Sequence, residues 1–339
     1  MTTLTGPGGP GGTGDGGGTS PLTTAPTPAG VLGGGGGISG ARSARRMARA
    51  VTSNRKATVG VVLLAIFILV ALVPGLIAHD NPSAQIYPRR LGPSSSHLLG
   101  TTAFGQDMFA QVIYGTRPVL LIAFGVGLGA TIIAMLIGVA AAYLGGTWDG
   151  LLNLLTDVLL VIPAFPLLIV IGSYLHGAST GVLIAVITCI SWSYTARQLR
   201  AQARSLRTRD FLEAAKVRGE RSFYIITVEI IPTMTSLLVA AFLTNALYAV
   251  LFSASLQFIG LGNPSDVSWG TMLYWAENNE AFQTGQALWI IVPGLCIVAL
   301  GAAFALLNYA FDEIGNPALR PLRRSRAKQA PWRRRAKQK

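Results

Sequence analysis

Acid is scarce in this chain: 14 Asp and Glu stand against 27 Lys and Arg in 339 residues, and charged residues make up 12%. A soluble domain carries about 25% charged residues. The deficit excludes an ordinary water-soluble globule. What fills the space is apolar, 51% of the chain, with a mean hydropathy of +0.50. The two cysteines, Cys189 and Cys296, both sit inside apolar runs. That excludes a disulfide framework or zinc spacing and leaves small packed hydrophobes. The three histidines, His79, His97 and His176, are far apart, and no HExxH, G-x-S-x-G or carboxylate–histidine arrangement accompanies them. None of the five lysines (Lys56, Lys216, Lys328, Lys337, Lys339) follows a glycine, so the phosphate-cradling loop G-x-x-x-x-G-K-[ST] is missing. The chain is not expected to be an enzyme by itself, to hold a metal, or to hydrolyse ATP.

What is present begins with a tail. Residues 1–40 contain 16 glycines among Ser, Thr and Pro. Such a segment cannot bury enough surface to offset its ordering entropy and is expected to be disordered. It is no secretory signal, because the first apolar run starts beyond residue 55 and is too long for one. Residues 41–57 form a basic juxtamembrane segment with Arg42, Arg45, Arg46, Arg49, Arg55 and Lys56. Six apolar stretches follow within residues 58–310, expected as spans at Thr58–Ala78, Pro118–Leu144, Leu151–Tyr174, Thr180–Arg197, Thr233–Phe252 and Ala287–Ala310. About 20 apolar residues suffice to cross the hydrocarbon layer. Pro74-Gly75 is expected to bend or end the first span. In the polar segment 80–117, HLLGTTAFGQDMFAQVIYGTR is expected to form a helix along the membrane surface. The second span carries Gly125, Gly129, Ala134, Gly138 and Ala142, a small-residue ladder for close helix approach. Its GVGLGA string resembles a dinucleotide fingerprint only superficially, since it lies within an apolar span and no strand precedes it.

Charge placement gives orientation. With both termini cytoplasmic, 24 of the 27 Lys and Arg fall inside, and only Arg89, Arg90 and Arg117 fall outside. The same count explains the high isoelectric point without nucleic acid: the basic cytoplasmic tail, 311–339, can lie on anionic lipid headgroups. The expected product is an all-α, multi-pass protein of the cell membrane.

The stretch Phe211–Pro232, FLEAAKVRGERSFYIITVEIIP, interrupts the apolar pattern on the cytoplasmic side. Phe211–Val217 reads as a short helix with Asp210 capping or charging its start, Gly219 breaks it, and Arg221–Ile231 resumes until Pro232 ends it. This is either a docking element held at the membrane surface or an amphipathic connector. Within the spans, Asp157 is the clear acid: an intramembrane acid is a functional candidate, and a hydrogen bond to a neighbouring helix is the competing reading. Asn245 and Tyr248, one turn apart on one face, either line a path or bond helix to helix.

EAAKVRG followed after nine residues by Glu229-Ile230-Ile231-Pro232 resembles the EAA loop of ATP-binding-cassette importer permeases. Three further blocks, LGTTAFGQDMFAQVIYGTR (99–117), GGTWDGLLNLLTDVLLVIPAFPLLIV (145–170) and SLQFIGLGNPSDVSWGTML (255–273), together with RQLRAQARSLRTRDFLEAA (197–215), are similar to the C-type subunit of the dipeptide/oligopeptide/nickel permease family. The resemblance implies a type I importer permease fold with six spans and a cytoplasmic coupling helix. It also implies a second permease subunit, two ATPase subunits that bind ATP and Mg, and an external substrate-binding protein. Glu213, Ala214, Ala215, Gly219 and Pro232 match the coupling motif, while Lys216, Arg218 and Arg221 could meet acid on the ATPase or serve as lipid-facing positive charges. Three positions depart from the family pattern: Glu229 stands where His is usual, Thr102 where Asp is, and Gln106 where Arg is. The expected cargo is dipeptides or oligopeptides, with oligosaccharides as the alternative. An autonomous secondary transporter or channel is the rival of a different class, and a membrane-anchored structural protein has only the basic tails behind it.

Overall fold

A computed structural model describes residues 55–175 and 177–315. The expectations for the Gly-rich tail, most of the basic segment and the residues from 316 on therefore lie outside the described residues, as does His176. Among the described residues the regular structure is all helical, in the order α1 Arg55–Leu72, α2 Pro74–Ile77, α3 Met108–Leu144, α4 Gly146–Val161, α5 Ala164–Tyr174, α6 Thr180–Leu206, α7 Asp210–Val217, α8 Ser222–Thr233, α9 Thr235–Phe258, α10 Trp269–Asn278 and α11 Leu288–Gly315. Five of these are long and apolar enough to cross a membrane. The bent pair α4–α5 makes a sixth.

The central element is α3. One face, with Ile122, Val126, Ala130 and Ala134, joins a core shared with α6 and the hairpin α7–α8. The opposite face, with Val112, Val119, Leu120 and Ala123, joins a core shared with α9, α10 and α11. The small-residue ladder is what brings α6 close. A Cβ on Gly125 would lie 3.1 Å from Ile184, one on Gly129 3.0 Å from Thr188, and one on Gly138 2.5 Å from the Ala196 carbonyl oxygen. Only glycine permits that backbone approach. GVGLGA lies inside this helix, as packing requires.

Several boundaries differ from those expected. The segment 97–117 is not a separate surface helix. Gly100 and Gly105, both at positive φ, fold residues 97–106 into turns, and Asp107 then caps α3 by accepting from the Ala110 amide at 2.8 Å. The helix runs from Met108 through Pro118 into the membrane, so the second span begins ten residues earlier than the proline suggested. The third span is broken: α4 and α5 meet at Ile162-Pro163 with an 84° bend. A proline there has no N–H to continue the ladder. The last helix continues past Ala310 to Gly315, into what the sequence assigned to the tail.

An additional helix, α10, lies in the connection between α9 and α11. Ser268 and Thr271 form a reciprocal capping box at its start, and the Trp269 indole donates to the Val112 carbonyl at 3.0 Å, fixing α10 against α3. The outer segment itself is tied down by His97, whose Nδ1 sits 2.7 Å from the second Asp107 oxygen while Tyr87 packs edge-on over its ring.

Candidate functional site

On the Arg-rich side, α6 extends beyond the expected Arg197 to Leu206 and hands the chain to the hairpin α7–α8. Leu212 and Ala215 of α7 and Ile225 and Ile230 of α8 are fully or almost fully buried in the core shared with α3 and α6. The hairpin is therefore seated by apolar contact. Asp210 is the first helical residue rather than the cap; Arg209 occupies the cap position without a side-chain bond, so Asp210 contributes charge only. Gly219 adopts φ +77°, with its amide on the Lys216 carbonyl at 2.9 Å and the Glu220 amide on the Ala215 carbonyl at 3.2 Å. Those two bonds are a Schellman motif. A Cβ on Gly219 would meet nothing within 4 Å, so the turn needs glycine for conformation and not for space.

Within α8, a π-helical segment at Ile225–Ile230 precedes Pro232, which sits inside the last turn. The break from α9 falls at Met234, two residues after the expected stop. A proline in the first positions of a helical turn lacks only a donor that such a turn leaves unused.

The sequence-predicted residues fall on two sides of this hairpin. Glu213, Ala214, Lys216, Arg218, Gly219, Arg221 and Pro232 face outward, whereas Ala215 is buried in its own chain. Close approach by a partner is thus open to Ala214 and closed to Ala215. Arg218 reaches Glu220 at 3.7 Å and Glu229 at 3.8 Å. Glu229 thus lies within ion-pairing range of the turn residue Arg218, in a weak, solvent-screened contact. Sequence reasoning missed two exposed apolar side chains at the tip, Val217 at 89% and Phe223 at 78% exposure. Bulky apolar residues flanking a glycine turn on the Arg-rich side were the available signal.

Two arginines of α6 hold the broken span. Arg200 donates to both Asp149 oxygens at 2.7 and 2.9 Å, and Arg197 pairs with Asp157, whose other oxygen accepts from Asn153 at 2.7 Å. Asp157 is therefore a bonded neighbour of α6, the second of the two readings open from sequence.

Beside the Pro163 bend lies a largely apolar cavity of about 280 Å³ bordered by α4, α5, α6 and α9, with both Asn245 and Tyr248 in its wall. Asn245 is buried and bonded at both ends of its amide: Thr195 donates to its Oδ1 and its Nδ2 donates to Thr131, each at 3.1 Å. It clamps α3, α6 and α9 together. Tyr248 is 44% exposed and stacks on Phe252, which stacks on Phe165. Tyr194, half-exposed in the same wall, was missed from sequence. Among the described residues no cluster of His, Cys, Asp and Glu could hold a metal ion.

The family described as binding-protein-dependent transport system inner membrane component matches residues 130–315. A protein provisionally named a peptide transport system permease in Brucella abortus is 32% identical over 281 residues, covering 82% of this chain and 92% of its own. An oligopeptide transport system permease protein of Mycobacterium tuberculosis is 31% identical over 264 residues, 77% of this chain and 90% of its own. A dipeptide transport system permease protein of Alkalihalophilus pseudofirmus is 30% identical over 274 residues, with shares of 79% and 87%.

Proposed function

The chain belongs to the binding-protein-dependent transport system inner membrane components, and from that premise we propose that it is a permease subunit of an ATP-driven peptide importer. In this reading it forms a translocation path with a second permease subunit in the cell membrane. Of two ATPase subunits, which bind ATP and Mg, one seats itself on the α7–α8 hairpin and the other on the second permease subunit, and an external binding protein delivers cargo to the opposite face. The observation that carries the reading is the hairpin: a short helix, a left-handed glycine turn and a second helix, seated by buried residues and projecting an exposed edge on the Arg-rich side. Glu213, Ala214, Lys216, Arg218 and Arg221 line that edge, Gly219 shapes it, and Ala215 and Pro232 fix its seat and exit. The relatives are named for peptides, which favours peptide over oligosaccharide cargo, and family membership argues against an autonomous transporter or channel.

Mechanically, closure of the ATPases would draw the hairpin inward. The force passes through Leu212, Ala215, Ile225 and Ile230 to α3 and α6, and through the two ion pairs to α4. The cavity at the Pro163 bend, with Tyr248 in its wall and Asn245 as its brace, then changes width on one side of the path. Gly219→Pro tests this. In proteoliposomes holding both permeases, the ATPases and the binding protein, tripeptide uptake falls at least ~10-fold, as expected when a turn is forced from its allowed conformation, while membrane insertion is unchanged. Uptake at the native rate would remove the coupling role.

A further inference from the structure

The outer face carries a second cavity, of about 320 Å³, on the opposite side of the molecule from the hairpin. Its walls come from four pieces: the turns at 83–106, the first turn of α3 with Gln111, the loop 264–267 with α10, and the start of α11. They are locked to one another independently of any ligand. The Gln286 amide donates to the Thr101 carbonyl at 2.6 Å, and Phe104 meets Trp275 and Trp289 edge-on, with ring centroids 5.2 and 6.4 Å apart. The cavity is thus a formed site rather than a gap between loose loops.

Its polar groups are only partly used. The Gln106 Oε1 accepts from Gln111 at 2.9 Å and from Thr102 at 3.4 Å, which leaves the Gln106 Nε2 without a partner among the described residues. Gln111 spends its Nε2 on Gln106 and on the Pro82 carbonyl, leaving its Oε1 free there. Trp289 lines the inner wall at 1% exposure, and its indole N–H has no acceptor. An enclosed donor without a partner marks a place where a ligand or water supplies one. The same lining thus offers donors and an acceptor beside aromatic rings, the groups a peptide unit can use: a carbonyl oxygen for Gln106 or Trp289, an N–H for Gln111. Asp266 adds a carboxylate to the lining, favouring an amine or a neutral group over an anion.

We propose that this outer cavity is a binding subsite for a peptide segment, with Gln106, Gln111 and Trp289 reading its backbone. The inference rests on the importer reading above and places a second, outward-facing contact on the same route. The same chemistry can come from free peptide cargo or from an extended loop of the external binding protein.

Two variants separate the sources: Gln106→Leu, and Trp289→Phe, which keeps an aromatic ring but removes the N–H. In the first arm, the full chain in lipid nanodiscs is titrated with tri-alanine. In the second, the assembled transporter is titrated with its binding protein and the stimulated ATP hydrolysis is followed. Tri-alanine binding that weakens at least ~5-fold in both variants, the scale of one lost hydrogen bond, supports the site with cargo as its ligand. An unchanged first arm with a ~5-fold higher half-saturating binding-protein concentration supports it with the loop as ligand. Both arms unchanged in Gln106→Leu, at a native melting temperature, would overturn the subsite. The tri-alanine arm needs no ATPase, so a wild-type assembly that fails to couple counts against the importer reading alone.

Discussion

Gly138 and Gly219 show two different demands on one residue type. At Gly138 the demand is space, because a methyl group would stand 2.5 Å from the Ala196 carbonyl oxygen. Overpacking of this kind costs about 1–3 kcal/mol, and Gly138→Ala is expected to lower the melting temperature of the purified protein. Gly150, in α4 with open space around it, is the control: alanine there is expected to be neutral or slightly stabilising. At Gly219 the demand is conformation, and a left-handed alanine costs about 1–2 kcal/mol. Asn, which tolerates that region, is expected to restore most of the uptake that Gly219→Ala loses. In the outer segment, the Tyr87 phenol donates to Asp80 at 2.7 Å, and that bond, followed by burial and the Asp80 and Asp107 charges, raises its pKa above the ordinary value of 10.0. A raised pKa in the folded state means the contribution is complete below pH 10 and disappears as pH rises through the folded value. Absorbance of tyrosinate in wild type against Tyr87→Phe is expected to show one phenol titrating late, and in Asp80→Asn that phenol titrates at lower pH, nearer its ordinary value.

At the level of elements, the broken span α4–α5 joins the core by few side chains. Its α4 segment exposes Leu151, Leu154, Leu155, Val158 and Val161, packs Leu159 on the α3–α6 core, and is tied to α6 by the polar pairs Asp149–Arg200 and Asp157–Arg197. Pairs as exposed as Asp157–Arg197 contribute roughly 0–1 kcal/mol. A stability change near zero in Asp157→Asn, together with a clear loss of uptake, is therefore the expected pattern for a pair that positions α4 during transport. Exchanging the charges in Asp157→Arg/Arg197→Asp should recover uptake, and no recovery would sink that role. Length and hydropathy made the spans legible in the sequence, and small residues at Gly125, Gly129 and Gly138 made the α3 face that meets α6 legible. The bend was not, because an apolar run reads the same whether it crosses straight or turns at Pro163. The continuity of α3 through Pro118 was hidden for the opposite reason: proline usually marks a helix start, and here the cap came earlier from Asp107. Of the candidate site, the glycine turn could be read from residue type, whereas the partners of Glu229 and Asn245 depend on tertiary placement that no spacing encodes.

For the whole molecule, the two faces differ in the chemistry they offer. One side carries eight Lys and Arg between Arg197 and Arg221 and the hairpin tip with Val217 and Phe223. The other carries the glutamine-lined cavity, the capped helix α10 and the tied-down turns around His97. The surplus of basic residues on the hairpin side predicts that this side faces the cytoplasm, since cationic loops are retained there during insertion. Cysteine labelling checks the assignment directly. In a background with Cys189→Ala and Cys296→Ala, a cysteine at Ser83 is expected to react with a membrane-impermeant maleimide added outside intact cells. A cysteine at Ser205 is expected to react only after the cells are opened. The reverse pattern would put the hairpin outside, away from any ATP-driven partner, and the importer reading would fail with it; the expected pattern places the outer cavity where a binding protein or free peptide can reach it without crossing the bilayer.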